Sequence, residues 1–175
     1  FNFLTRIDTV TPEGLAAMKR AGIPSMSVGL ESGSPKILKA MNKGFDLETA
    51  KQTLCTIRDA GVGLATFFIV GHPGDDAQES EKTLEFVDGL FRDDLTGWID
   101  LSIFTPYPGT PFFINPKAYG IEILSLDWSK WRRSNRPIAQ LTDYSASEIY
   151  LTYLRMLETQ AGHHARKRAD PHVGL

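Results

Sequence analysis

Four short apolar runs in the first 111 residues each end at glycine, proline or an acid, and the first three give way to an amphipathic helical pattern. That alternation is the tightest limit on the fold. Strands separated by helices pair in parallel, because a parallel connection needs a crossover long enough to hold a helix. The most informative strand exit is Val28-Gly29-Leu30-Glu31-Ser32-Gly33-Ser34-Pro35. Residues 25–30 are long enough for a strand and too short for a helix. Gly29 and Gly33 let the backbone turn sharply and let a ligand come close. Ser34 suits the cap of the next helix and Pro35 its first position. Glu31 is left at the strand's carboxyl end, where α/β sheets and barrels place their ligands.

The other units follow the same grammar. A first strand is expected at residues 1–7, ending in Arg6 and Asp8. Thr11-Pro12-Glu13 starts a helix with Leu15, Met18 and Ala21 on one face, stopped by Gly22 and Pro24. The helix after Ser34 is expected to reach about residue 42 and to end at Lys43-Gly44. Asp46 caps a longer helix over 47–60, with Leu47, Ala50, Leu54, Ile57 and Ala60 as its buried stripe. Residues 64–70 form the clearest strand, apolar on both faces. The loop Gly71-His72-Pro73-Gly74-Asp75-Asp76 leads into a helix over 77–91, capped by Asp75 or Asp76. A fourth strand at 98–105 exits into Pro106-Tyr107-Pro108-Gly109-Thr110-Pro111, a loop stiffened by its prolines.

Beyond residue 112 the periodicity weakens. A short strand at 120–124 and a helical turn at 127–132 are expected, with Trp128 and Trp131 pinning the segment onto the core. Ser145-Ala146-Ser147-Glu148 is a capping box. Its helix is expected to end near Gly162, leaving His163 to Arg168 as a solvated tail. The fold class is therefore α/β: four strand-helix units over residues 1–111, half of a TIM-like parallel barrel or a small open sheet. Residues 112–175 add an irregular segment and a C-terminal helix packed on it.

Composition narrows the function classes. Lys plus Arg number 19 and Asp plus Glu 21, a net charge of -2. That gives no general electrostatic case for nucleic acid, and without a basic field the tryptophans make a poor base-stacking platform. The strongest apolar run, residues 64–70, is far too short to span a bilayer. No signal-peptide layout opens the sequence, so a cytoplasmic protein with no membrane partner is expected. The first residue is Phe1 and not Met, which suggests the middle of a longer chain. The single cysteine, Cys55, excludes a disulfide framework or a cysteine metal cluster within the chain. Beside Leu54 on a helix, it reads as a small core or boundary residue.

Arg6 with Asp8, Glu31, Gly71 to Gly74 and Tyr107 to Thr110 all fall at the carboxyl ends of successive strands. Each alone is explained by a short turn. Together, in a parallel barrel, they converge on one mouth and offer a carboxylate, glycine-lined backbone and an aromatic edge.

These same motifs resemble the radical S-adenosylmethionine superfamily: Arg6-Ile7-Asp8, Gly29 to Ser34 with Leu38 to Gly44, Phe68 to Gly74, and Pro106 to Thr110. The resemblance covers residues 4–111. The nearest subgroup often carries an N-terminal cobalamin-binding domain and includes methyltransferases and the anaerobic magnesium-protoporphyrin ester cyclase. It implies a partial barrel whose mouth holds a 4Fe–4S cluster and S-adenosylmethionine, with cobalamin in part of the subgroup, acting on a small-molecule substrate. In that chemistry the cluster reduces the sulfonium and a 5′-deoxyadenosyl radical abstracts hydrogen from substrate. By position, Glu31 would meet the methionine amine and Lys43 the carboxylate. Phe68, Ile69 and Gly71 would offer backbone to the adenine, with Tyr107 as the aromatic edge. Family members usually have an aromatic between Gly71 and Pro73; His72 stands there, as a simple turn substitution or an added proton donor.

One departure from the family is large. The family's Cys-x3-Cys-x2-Cys cluster loop is missing, and so is room for the first two strand-helix units. The implied account is the carboxyl-terminal part of a radical enzyme whose partner is the N-terminal half-barrel carrying the cysteine loop. The alternative is a non-catalytic module that binds S-adenosylmethionine or a nucleotide. A structural interaction domain would leave Glu31 and Lys43 unexplained.

Overall fold

In the computed structural model, which describes residues 3–132 and 136–169, the sheet begins with β1 (Phe3–Arg6). Of the strand expected at 1–7, Phe1 and Asn2 lie outside the described residues, and Ile7–Thr9 form a 3-10 turn. Helix α1 (Pro12–Arg20) is capped by the Thr11 hydroxyl, which accepts from the Gly14 N–H. Strand β2 (Ser25–Glu31) leads into α2 (Pro35–Ala40), capped by Ser34, and then α3 (Leu47–Asp59), capped by Asp46. Strand β3 (Gly63–Val70), helix α4 (Ala77–Arg92), capped by Asp76, and strand β4 (Trp98–Ile103) complete the four units. Each cap satisfies a backbone N–H that the first helical turn leaves without a partner, at a spacing fixed by local sequence.

The four strands form one sheet in the order β1-β2-β3-β4, every pair parallel. This is a partial parallel (β/α) barrel with a C-terminal helix added. Alternation along the strands divides the sheet into two faces. Met26, Val28, Leu30, Phe68, Val70, Ile99, Leu101 and Ile103 are buried with the apolar stripes of α3, α4 and the C-terminal helix. Phe68 is fully buried there, so truncation to Ala would cost about 3–5 kcal/mol. The other face carries Gly29, Glu31, Phe67, Ile69, Asp100 and Ser102, all half-buried. Strand β3 is apolar on both faces, as its sequence indicates, but only one face is packed. The other is the floor of a concave surface.

The chain after β4 departs further from expectation. The Thr110 hydroxyl caps a single-turn helix, α5 (Pro111–Ile114), inside what reads as a proline-stiffened loop. The short strand expected at 120–124 is β5 (Ile121–Ile123), and it has an unforeseen antiparallel partner, β6 (Ala139–Leu141). Trp131 is buried and donates from Nε1 to the Ser125 carbonyl at 3.1 Å, so it pins the segment as expected. Trp128 leans on Trp131 but stays largely exposed.

Helix α6 (Ala146–Ala169) does not stop near Gly162. His163 is buried and stacked on Phe91 at 4.6 Å, and His164 stacks on Trp98 at 5.3 Å while bonding the Gly97 carbonyl. Lys167 pairs with Asp94 one turn later. These tertiary contacts outweigh the roughly 1 kcal/mol propensity penalty of an interior glycine. No helix among the described residues is long and apolar enough to cross a membrane.

Candidate functional site

At the carboxyl end of β2 the pairing with β3 shifts register between Gly29 and Glu31, and Glu31 takes a positive φ of 73°. The bulge and the left-handed residue turn the Glu31 carboxylate back over the open face of the sheet. Gly29 makes room for it: a Cβ at Gly29 would lie 2.4 Å from Glu31 Oε1. The turn that follows is locked to α4. Ser32 Oγ and the Gly33 N–H both reach Thr83 Oγ1, and Ser34 Oγ bonds Glu79. A Cβ at Gly33 would meet Phe86 Cβ at 2.5 Å and the Thr83 backbone at 2.9 Å, so glycine is what lets this turn seat on the helix.

Lys43 arrives by a different device. The Asn42 N–H bonds the Lys39 carbonyl, the Lys43 N–H bonds the Leu38 carbonyl, and Asn42 has φ 54°. That is a Schellman ending with Asn in the glycine role, one residue earlier than the Lys43-Gly44 stop expected from sequence. It swings Lys43 back toward β2, where its Nζ lies 3.0 Å from Glu31 Oε1. Both side chains are less than a fifth exposed.

This ion pair stands where two hollows meet. The first, about 470 Å³, runs along the open sheet face past Leu4, Arg6, Gly29, Phe67 and the edge of Phe68. The second, about 550 Å³, opens beyond the strand ends and is walled by Met41, Ile103, Phe104, Tyr107 and Phe112, with His72. Glu31, Lys43, Ile69 and Ser102 line both. We call these the sheet lobe and the apolar lobe.

Of the six residues picked from sequence, Glu31, Lys43 and Ile69 are brought together at the junction. Tyr107 lies in the apolar lobe. Phe68 points its ring into the core on the other face, so only its backbone borders the sheet lobe. Gly71 lines neither lobe. At φ 79° it turns the chain away, its N–H donates to Asp75 Oδ2 at 2.9 Å, and a Cβ there would press on Ile149 of α6. Arg6 and Asp8 pair with each other through two hydrogen bonds, which holds the Asp8 carboxyl below the usual carboxylate range.

Asp75 is buried beneath the Gly71 turn. It also accepts from the Asp76 N–H and from Ser80 Oγ, and Ser80 accepts from the Tyr144 hydroxyl. Burial pushes its carboxyl up to about 6 against those donors. The network fastens the loop after β3 to α4 and to the start of α6. Met41, Ser102, Phe104 and Phe112 were not legible as site residues, because their apolar or small side chains read as core or turn. Only the strand-exit position of Phe104 hinted otherwise.

Among known proteins, the family model of the radical SAM superfamily matches residues 2–87. An uncharacterized methyltransferase of Pyrococcus horikoshii is 28% identical over 145 residues, covering 83% of this chain and 30% of that protein. Bacteriochlorophyllide d C-12(1)-methyltransferase of Chlorobaculum tepidum is 30% identical over 134 residues, covering 74% of this chain and 26% of that protein. The solved radical S-adenosylmethionine methyltransferase TsrM of Kitasatospora setae, with cobalamin and a 4Fe–4S cluster bound, has TM-score 0.55 at 17% identity. It shares the fold over 72% of this chain and 24% of its own. The chain spans less than a third of the length of each of these proteins.

Proposed function

The chain belongs to the radical SAM superfamily, and from that premise we propose that it forms the S-adenosylmethionine-facing part of an enzyme of the methyl-transferring kind. The observation that carries the reading is the Glu31–Lys43 pair. A strained backbone and a Schellman turn, each with its own cause, deliver opposite charges to the junction of two lobes 3.0 Å apart. The methionine end of S-adenosylmethionine is a zwitterion. Its ammonium would take Glu31 and its carboxylate Lys43, exchanging one ion pair for two. The cradle at Gly29, which a Cβ would fill, is what gives the Glu31 carboxylate its place over the open face of the sheet.

When bound, S-adenosylmethionine supplies the family's radical and methyl-group chemistry. The apolar lobe suits its adenine, and the sheet lobe leaves the open barrel face for a small-molecule substrate. Arg6 and Phe67 would contact that substrate. The 4Fe–4S cluster does not fit the residues present. Such clusters are held by several thiolates, and Cys55 lies alone on α3, outside both lobes. Its ligands would come from polypeptide outside these 175 residues, as would a cobalamin site. The methyl-transfer assignment draws on the names of the relatives at 28–30% identity.

Titration calorimetry on the full-length protein tests the reading. Glu31→Gln and Lys43→Met are each expected to weaken S-adenosylmethionine binding ten- to a hundredfold, since a charge-assisted hydrogen bond contributes about 1.5–3 kcal/mol. Unchanged affinity in both variants would remove the support for this site.

A further inference from the structure

One side chain of the loop after β3 has no part in the reading above. His72 sits at the back of the apolar lobe, edge-on to Phe104 at 5.4 Å and to Phe112 at 5.7 Å between ring centroids. Its Nδ1 lies 2.9 Å from the Pro73 carbonyl oxygen. A carbonyl can only accept, so Nδ1 carries the ring proton and donates it. In the neutral imidazole that leaves Nε2 as a bare acceptor. Burial lowers the His72 pKa, which keeps the ring neutral at pH 7. Among the described residues no donor pairs with Nε2, yet it is not sealed in the interior as His163 Nε2 is, so it keeps access to the lobe. His72 therefore stands as an acceptor at this position, which the sequence left as a simple turn substitution or an added proton donor.

We propose that His72 Nε2 is a specificity-determining acceptor that selects, in the apolar lobe, a flat heteroaromatic ring presenting an N–H donor. The walls supply the preference for a ring. Met41, Ile69, Phe104, Tyr107 and Phe112 offer apolar and aromatic surface, while Glu31, Asn42, Ser102, Thr105 and Thr110 add polar groups to the same lobe. Glu31 is paired with Lys43, the Thr105 and Thr110 hydroxyls donate to backbone carbonyls, and His72 Nε2 is the acceptor set among the aromatic rings. The lone pair supplies the discrimination. A ring without a donor would bury Nε2 unpaired, and sites built around one hydrogen bond reject analogues lacking its partner more strongly than apolar pockets reject a misfit of size. Two sources share this chemistry: the exocyclic amine of adenine and the ring N–H of a substrate heterocycle. The adenine source rests on the function proposed above, whereas the substrate source would seat the substrate ring in the apolar lobe in place of the adenine.

Calorimetry with the full-length protein and two probe pairs separates them. One pair is 5′-deoxyadenosine and the same nucleoside with purine in place of adenine. The other is indole and 1-methylindole. The wild type is expected to prefer the N–H-bearing member of one pair by about tenfold. His72→Phe should erase that preference while leaving the donor-free member's affinity unchanged. His72→Gln, which keeps an acceptor, should retain part of it. A preference within the adenosine pair assigns the contact to the adenosyl group, and one within the indole pair assigns it to substrate. No preference in either wild-type pair, or one that survives in His72→Phe, overturns the proposal. The wild-type comparison stands even if a variant fails to fold. S-adenosylhomocysteine serves as the separate control. If it fails to bind the wild type, the cofactor reading falls, while the indole pair still reports on His72.

Discussion

Glu31 holds a left-handed backbone conformation that costs a non-glycine residue about 1–2 kcal/mol, and the contact that conformation gives its side chain is the 3.0 Å pair with Lys43. The carboxylate is half-buried, over a glycine, against a lysine that could have been left in solvent. Strain retained at such a position is understandable if the carboxylate's direction is what matters. Gly29 offers a clean test. Its backbone lies outside the positive-φ set, so alanine can adopt it, but the new methyl group would occupy the place of Glu31 Oε1. The obstacle is the end of a flexible side chain, which can swing aside cheaply. Gly29→Ala is therefore expected to change stability by less than about 1 kcal/mol while weakening S-adenosylmethionine binding roughly tenfold. Thermal melting paired with calorimetric titration checks both halves. A variant that binds as well as the wild type would mean that the carboxylate's seat over Gly29 is incidental.

At the scale of elements, what was legible in the sequence was what local chemistry decides. Thr11-Pro12, Ser34-Pro35, Asp46, Asp76 and the Ser145–Glu148 box each start a helix where the sequence places it, because a cap and its N–H donor are three residues apart. The end of α6 was not legible, because it is set by Phe91 and Trp98, more than sixty residues upstream. Strand β6 is three residues long and pairs across a long excursion, which leaves no periodic trace. The site shows the same division. Glu31 was visible by its place at a strand end and Lys43 only through the family resemblance, and their meeting depends on the Asn42 turn. Arg6 still borders the sheet lobe, but its pairing with Asp8, two residues on, offsets the charge that the sequence placed at the mouth.

Helix α6 gives the discriminating case at this scale. If the helix ended at Gly162, that glycine would be serving as a terminator, and alanine there would be neutral or harmful. In the structure Gly162 is interior, and an added Cβ would make ordinary contact with Arg166 at 3.5 Å. Gly162→Ala should therefore raise stability by roughly 0.5–1 kcal/mol, seen as a melting temperature higher by a few degrees. A lower melting temperature would place the helix end where the sequence alone suggested it.

The molecule as a whole treats the two edges of its sheet differently. Along β4, α6 lies close, and the Gln160 side chain, itself buried, accepts the Ile99 N–H at 2.6 Å. That edge is guarded by a side chain meeting a backbone donor. Strand β1 has no such cover among the described residues. Phe3 is 44% and Leu4 68% exposed, and Leu4 also borders the sheet lobe, so the open edge and the open face meet at one apolar corner. Backbone donors and acceptors left unpaired beside exposed apolar side chains are a template for another strand. The 175-residue chain on its own is therefore expected to self-associate as its concentration rises through the micromolar range, where such edges begin to matter. Leu4→Lys places a charge at the corner without touching the packed face of the sheet, as natural edge strands do, and should shift the population toward monomer with little change in melting temperature. Sedimentation velocity over a concentration series reads the result. A wild-type chain that stays monomeric throughout would show that β1 needs no partner, and association unaffected by Leu4→Lys would move the contact to the exposed Ile114, Leu126 and Trp128 surface instead.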